Sequence, residues 1–193
     1  MSANWEKRTS ADYETTAWSG GTTTQLLIAP EDAHYAARDF LWRVSSATVE
    51  RDKSDFTALP DYERRIATLR GEITLMHNGG APIRLRPGEV HAFSGADETC
   101  CAGRCTDFNL MLRRGKAEGT MEALLLGAGE SREFPTDGDH MLLYVAEGAC
   151  TVMIGAERIE LQIGESLLCN GKAVLSLASA DSAALMLCRM RRL

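Results

Sequence analysis

The chain has 193 residues, 45% hydrophobic and 25% charged, which suits an ordinary globular protein of one large domain or two small ones. A core of useful size fits this length without disulfide staples. The net charge of −6, with no Lys/Arg-rich run, argues against a nucleic-acid partner, because phosphate contact needs a basic surface.

The start, Met1-Ser2-Ala3-Asn4-Trp5-Glu6-Lys7, has no apolar run behind a basic segment and does not read as a signal peptide. No stretch reaches the roughly 18 apolar residues that a spanning helix needs. The expectation is a cytoplasmic protein with no membrane partner.

Short or alternating apolar runs bounded by Gly, Pro and Asp then recur along the chain, which is the all-β pattern. Strands are predicted near residues 23–28, 41–49, 64–70, 73–77, 82–85, 90–93, 99–104 and 108–113. A second series is predicted near 121–126, 141–146, 149–154, 157–161, 166–169, 173–177 and 184–190. Only residues 32–38 and 119–124 have a helical look. The charged, Gly-punctuated stretch from Arg113 to Gly119 reads as a link, dividing the chain into 1–114 and 115–193.

The two series echo each other. Leu69-Arg70-Gly71-Glu72-Ile73 is followed by Pro87-Gly88-Glu89-Val90; Ala146-Glu147-Gly148-Ala149-Cys150 is followed by Ile163-Gly164-Glu165-Ser166. Each is strand, Gly turn, strand, Gly-Glu corner, and the glycines suit turns with positive φ. The repeat predicts two tandem jelly-roll barrels, a bicupin.

Six cysteines and four histidines raise the question of metal. Cys100, Cys101 and Cys105 cluster, but no second pair accompanies them, and adjacent strand residues face opposite ways. His91 fits the Gly-x-x-His of a second cupin motif, whereas His77 has no His-x-His partner. One imidazole does not make a first-row metal site, so no metal and no cofactor are predicted. The Gly-rich run at Trp18–Gln25 precedes a strand, whereas phosphate loops open helices; it reads as a turn.

Polar residues interrupt three strands. Residues two apart share a strand face. Arg43, Ser45 and Ala47 share one, Arg64, Ile66 and Thr68 another, and Asp107, Asn109 and Met111 a third, opposite Phe108, Leu110 and Leu112. Buried polar groups need partners. The faces therefore form either an internal network or a pocket, and guanidiniums in a pocket suit a small carboxylate.

The same segments carry a family resemblance. Trp18-x-Gly20-Gly21-Thr22-Thr23-Thr24-Gln25, Phe40-x-Trp42-Arg43-Val44-Ser45-x-Ala47, Phe56-x-x-Leu59-Pro60-Asp61-Tyr62-x-Arg64, Leu69-x-Gly71 and Asp107-Phe108-Asn109-Leu110-Met111-x-Arg113 resemble the HutD/Ves family of small bicupins. The match covers the first two thirds of the chain. Ser19 stands where that family usually has Asn, and Leu59-Pro60-Asp61 where it has Phe-Pro-Gly. The resemblance implies a bicupin associated with histidine utilisation, without settled enzymatic activity, that senses an intermediate such as formylglutamate.

Three functions stay open. In the first, Gln25, Arg43, Ser45, Arg64, Asp107 and Asn109 bind a small anionic metabolite without catalysis. In the second, Asp107 or His91 serves as acid–base group of a metal-independent isomerase or hydrolase. In the third, the network is purely structural within an interaction module. An exposed β edge leaves a homodimer open.

Overall fold

The computed structural model describes residues 4–136 and 139–193. Its strands are β1 (Asn4–Arg8), β2 (Glu14–Trp18), β3 (Gly21–Ala29), β4 (Trp42–Val49), β5 (Lys53–Asp55), β6 (Tyr62–Arg70), β7 (Ile73–His77), β8 (Ile83–Leu85), β9 (Val90–Ser94) and β10 (Thr99–Ala102). They continue with β11 (Cys105–Arg113), β12 (Ala117–Leu126), β13 (Ser131–Pro135), β14 (His140–Glu147), β15 (Ala149–Ile154), β16 (Glu157–Gln162), β17 (Ser166–Asn170), β18 (Val174–Ala178) and β19 (Ala183–Arg192). The helical pieces among the described residues are two single 3₁₀ turns, at Ser10–Asp12 and Tyr35–Ala37. The all-β expectation holds, and the segment at 119–124 lies in strand β12.

The chain divides into two compact units, each with two sheets. The unit spanning residues 13–118 has a six-stranded sheet, β2-β3-β4-β11-β6-β9, and a four-stranded one, β5-β10-β7-β8. The other unit joins residues up to 12 with residues 119–192 and has the sheets β1-β17-β14-β19-β12 and β13-β18-β15-β16. Double-sheet packing of antiparallel strands is the jelly-roll solution to burying one face of each sheet.

The division differs from the expected 1–114 and 115–193. Strand β1 pairs antiparallel with β17, Trp5 opposite Cys169, so residues up to 12 belong with the second unit. The link is shorter than expected: β11 runs to Arg113, and β12 begins at Ala117 after a tight turn.

The internal repeat is physical. Gly71 and Gly148 turn matching hairpins with φ of 76° and 74°. A Cβ at Gly71 would lie 2.4 Å from the Arg104 carbonyl oxygen, and at Gly148 2.5 Å from that of Ser182, so both places exclude a side chain. The Gly-Glu corners match too: the backbone N–H of Arg86 donates to Glu89 at 2.9 Å and that of Gln162 to Glu165 at 2.8 Å.

Register places the polar faces side by side. Met111 on β11 lies between Arg43 on β4 and Arg64 on β6; Asn109 lies between Ser45 and Ile66; Asp107 lies between Ala47 and Thr68. At about 4.8 Å per strand, the Arg43 and Arg64 backbones are roughly 10 Å apart. The opposite face of β11, Phe108, Leu110 and Leu112, is buried and apolar.

Candidate ligand cavity

The inner faces of β4, β6 and β11 border a cavity of about 390 Å³ within the unit of residues 13–118. Arg43, Ser45, Arg64, Asp107 and Asn109 all line it, as the face assignment predicts. Their residue exposures are 7%, 3%, 6%, 3% and 6%, so each polar group must be met from within the site. Gln25 differs. It is not part of the lining but accepts a 2.7 Å hydrogen bond from Arg43 Nε, and so holds that guanidinium from behind.

Each arginine is fixed by neutral groups. Arg43 Nη1 donates to Ser45 Oγ at 3.2 Å, and its guanidinium sits 4.5 Å from the centre of the Tyr35 ring. Arg64 Nη2 donates to Asn109 Oδ1 at 3.2 Å, and its guanidinium lies 4.8 Å from the Phe56 ring centre and 5.1 Å from that of Phe93. Arg64 Nε is buried without a hydrogen-bond partner. Cation–π contact with apolar rings stabilises such a charge less than a carboxylate would. Burial therefore lowers the pKa of both guanidiniums, against the raising influence of Tyr35 on each.

Asp107 completes the wall. Its Oδ1 accepts from Asn109 Nδ2 at 2.9 Å and from the Ala47 backbone N–H at 3.2 Å. Burial pushes its carboxyl up to about 6, although both hydrogen bonds and the nearby Arg64 charge pull it down. No ion-pair contact joins Asp107 to either arginine among those described.

Sequence reasoning missed several wall residues. Tyr35 stands in a 3₁₀ turn, Phe56 follows the short strand β5, and Thr16 and Trp18 come from β2. Phe56 and Trp18 were visible in the motif blocks, but nothing local said where they point.

The histidines also behave differently from the prediction. His77 and His91, isolated in sequence, meet with their Nε2 atoms 2.9 Å apart, and His77 Nδ1 is 2.8 Å from Thr99 Oγ1. Burial, then the neighbouring His77, lowers the pKa of His91. His91 is not part of the cavity lining; it stacks in a cluster with His77 and Phe93. Of the cysteine cluster, burial raises Cys101 to about 11 and Cys105 to about 12, so both are thiols at neutral pH. Among the described residues no three His, Cys, Asp or Glu side chains gather as a metal site. No helix among them is long and apolar enough to cross a membrane.

Two double-sheet units, one with a polar cavity, define a cupin-type protein, and solved structures agree. A conserved protein of unknown function from Pseudomonas aeruginosa superposes with a TM-score of 0.85 at 21% identity, covering 97% of this chain and 99% of that one. HutD from Pseudomonas fluorescens gives 0.78 at 20% identity, covering 98% and 100%. The Escherichia coli pirin YhhW, solved with nickel(II), gives 0.69 at 10% identity, covering 96% and 98%. At these identities the likeness shows the fold. The particular family comes from sequence: the HutD family model matches residues 10–187, and the chain belongs to the HutD family, a cupin family associated with histidine utilisation. A comparison with curated proteins finds no match.

Proposed function

We propose that the protein binds a small carboxylate metabolite in this cavity without transforming it, and that the bound state reports on histidine breakdown. Formylglutamate is the leading ligand. The observation that carries this reading is the pair of buried guanidiniums, Arg43 and Arg64, on the wall of a 390 Å³ space and paired to no carboxylate among the described contacts. Such a volume suits a small metabolite, and a carboxylate entering it would offset the desolvation of both cations. A purely structural network gives no reason for the space to stay open.

The test is titration calorimetry with formylglutamate, urocanate, glutamate and formate. Binding tighter than about 1 mM by at least one of them, lost in Arg43→Ala or Arg64→Ala, supports the reading. Absence of binding by all four refutes it.

One observation favours the enzyme reading. A wall carboxyl pushed up to about 6 suits acid–base work near neutral pH. Turnover of a candidate metabolite, abolished in a folded Asp107→Asn variant, would establish that reading. The same role for His91 lacks geometric support, because His91 lies outside the cavity lining.

A further inference from the structure

Asn109 bridges two charged groups of the cavity wall. Its carboxamide oxygen takes a hydrogen bond from Arg64, and its nitrogen donates to Asp107. One planar amide thus spans the gap between a buried cation and a buried carboxylate. Both described hydrogen bonds to the Asp107 side chain fall on Oδ1. The second oxygen, Oδ2, has none, although Asp107 is 3% exposed and lines the cavity. Neither arginine takes it up: Arg43 is committed to Gln25 and Ser45, and Arg64 to Asn109 and, weakly, to the Thr57 carbonyl.

We infer that Asp107 is the specificity-determining residue of the cavity: its Oδ2 selects anions that carry an N–H or O–H donor a few bonds from their carboxylate. N-acyl amino acids are the best fit, because they repeat the order that Asn109 displays, an oxygen toward Arg64 and an N–H toward Asp107. The inference rests on the carboxylate-binding reading of the cavity. A ligand without the donor displaces solvent from Oδ2 and leaves it unpaired, which should weaken its binding about tenfold or more. It also sets an alkyl group, or its own anion, against a carboxylate. Above about pH 6 Asp107 is ionised and can only accept, which keeps the selection in force at neutral pH.

N-acetylglycine and 4-oxopentanoate test this directly, since they share shape and charge and differ by N–H against CH₂. Calorimetry at pH 7.5 is expected to show wild-type protein binding N-acetylglycine at least about tenfold more tightly. In Asp107→Asn, the remaining side-chain oxygen keeps both inner hydrogen bonds while the amide nitrogen presents a donor to the cavity. The preference should therefore vanish or reverse at unchanged thermal stability or better. Equal affinity of the two compounds for wild-type protein overturns the inference while leaving the carboxylate reading intact, as does a preference that persists in Asp107→Asn. If neither compound binds wild-type protein although formylglutamate, urocanate, glutamate or formate does, the inference is overturned and the carboxylate reading stands; if none of the six binds, both fail. The wild-type pair of titrations decides the matter even where the variant does not fold.

Discussion

The two units solve the same packing problem differently. In the unit that joins residues up to 12 with residues 119–192, a buried apolar cluster brings together Met141, Leu143 and Val145 on β14, Leu167 and Cys169 on β17, and Leu185 and Leu187 on β19 with Leu161, Leu175 and Leu177. In the unit of residues 13–118, the apolar interior is split. One cluster holds Val49, Ile66, Leu75 and Phe93; another holds Ile28, Phe40, Leu59 and Met111. Arg43, Ser45, Arg64, Asp107 and Asn109 occupy the corresponding inward strand positions and border the cavity. An inward leucine fills space by its own volume, whereas an inward arginine must be solvated or paired. The difference teaches that a repeated scaffold can carry leucines at inward strand positions in one copy and arginines around a cavity in the other.

The sharpest way to break that contrast is to truncate one residue in each unit. Arg64→Ala is expected to weaken carboxylate binding by about 100-fold or more, because a buried hydrogen-bonded charge is removed from the ligand's side. Leu143→Ala in the other unit is expected to cost about 2–5 kcal/mol of stability in chemical denaturation. It should leave the calorimetric affinity unchanged. Binding losses of similar size in both variants would erase the distinction.

The folded-state pKa of Asp107 is raised from 3.8 to about 6, so between those values the native state holds more protons than the unfolded state. Stability from this group is therefore greatest below about pH 4 and declines as pH rises to about 6, by up to about 3 kcal/mol. Asp107→Asn should flatten that slope and be at least as stable as wild type at pH 8, as read by thermal melts across pH. A variant much less stable at pH 8 would show that the charge is net stabilising.

Smaller effects follow further from the cavity wall. Gln25→Ala removes the acceptor behind Arg43 and should weaken binding about 5- to 10-fold, with little change in melting temperature, since it loosens a cation without deleting it. Gly20→Ala is expected to do least. A Cβ there would meet the Trp18 ring at 2.1 Å, and Trp18 as a residue is 41% exposed, so its ring can swing away. Tryptophan fluorescence should shift while affinity changes only a few-fold; an unfolded variant would mean that the hairpin is more rigid than its exposure implies.

Much of the site was legible because strands β4, β6 and β11 alternate cleanly. Phe108, Leu110 and Leu112 mark the buried outer face, which leaves Asp107, Asn109 and Met111 on the cavity side by period-two geometry alone. Gln25 was found, but as a support for Arg43, because sequence does not separate a wall residue from one behind it. Tyr35 and Phe56 were not assigned a role: they reach the arginines from a 3₁₀ turn and from the end of a three-residue strand, and no periodicity governs such places. Strands β1, β2, β5 and β13 were missed as well. Each is an edge strand with few or no buried residues, and β1 pairs with β17 some 160 residues away. The His77–His91 contact joins strands of different sheets, which no local pattern encodes.

Titration calorimetry of formylglutamate into wild-type protein and into Arg64→Ala tests the central claim most directly. The account predicts one site on the wild-type chain with affinity tighter than about 1 mM, and heats indistinguishable from dilution for the folded variant. Identical titrations for the two proteins, whether both bind or neither does, would contradict it.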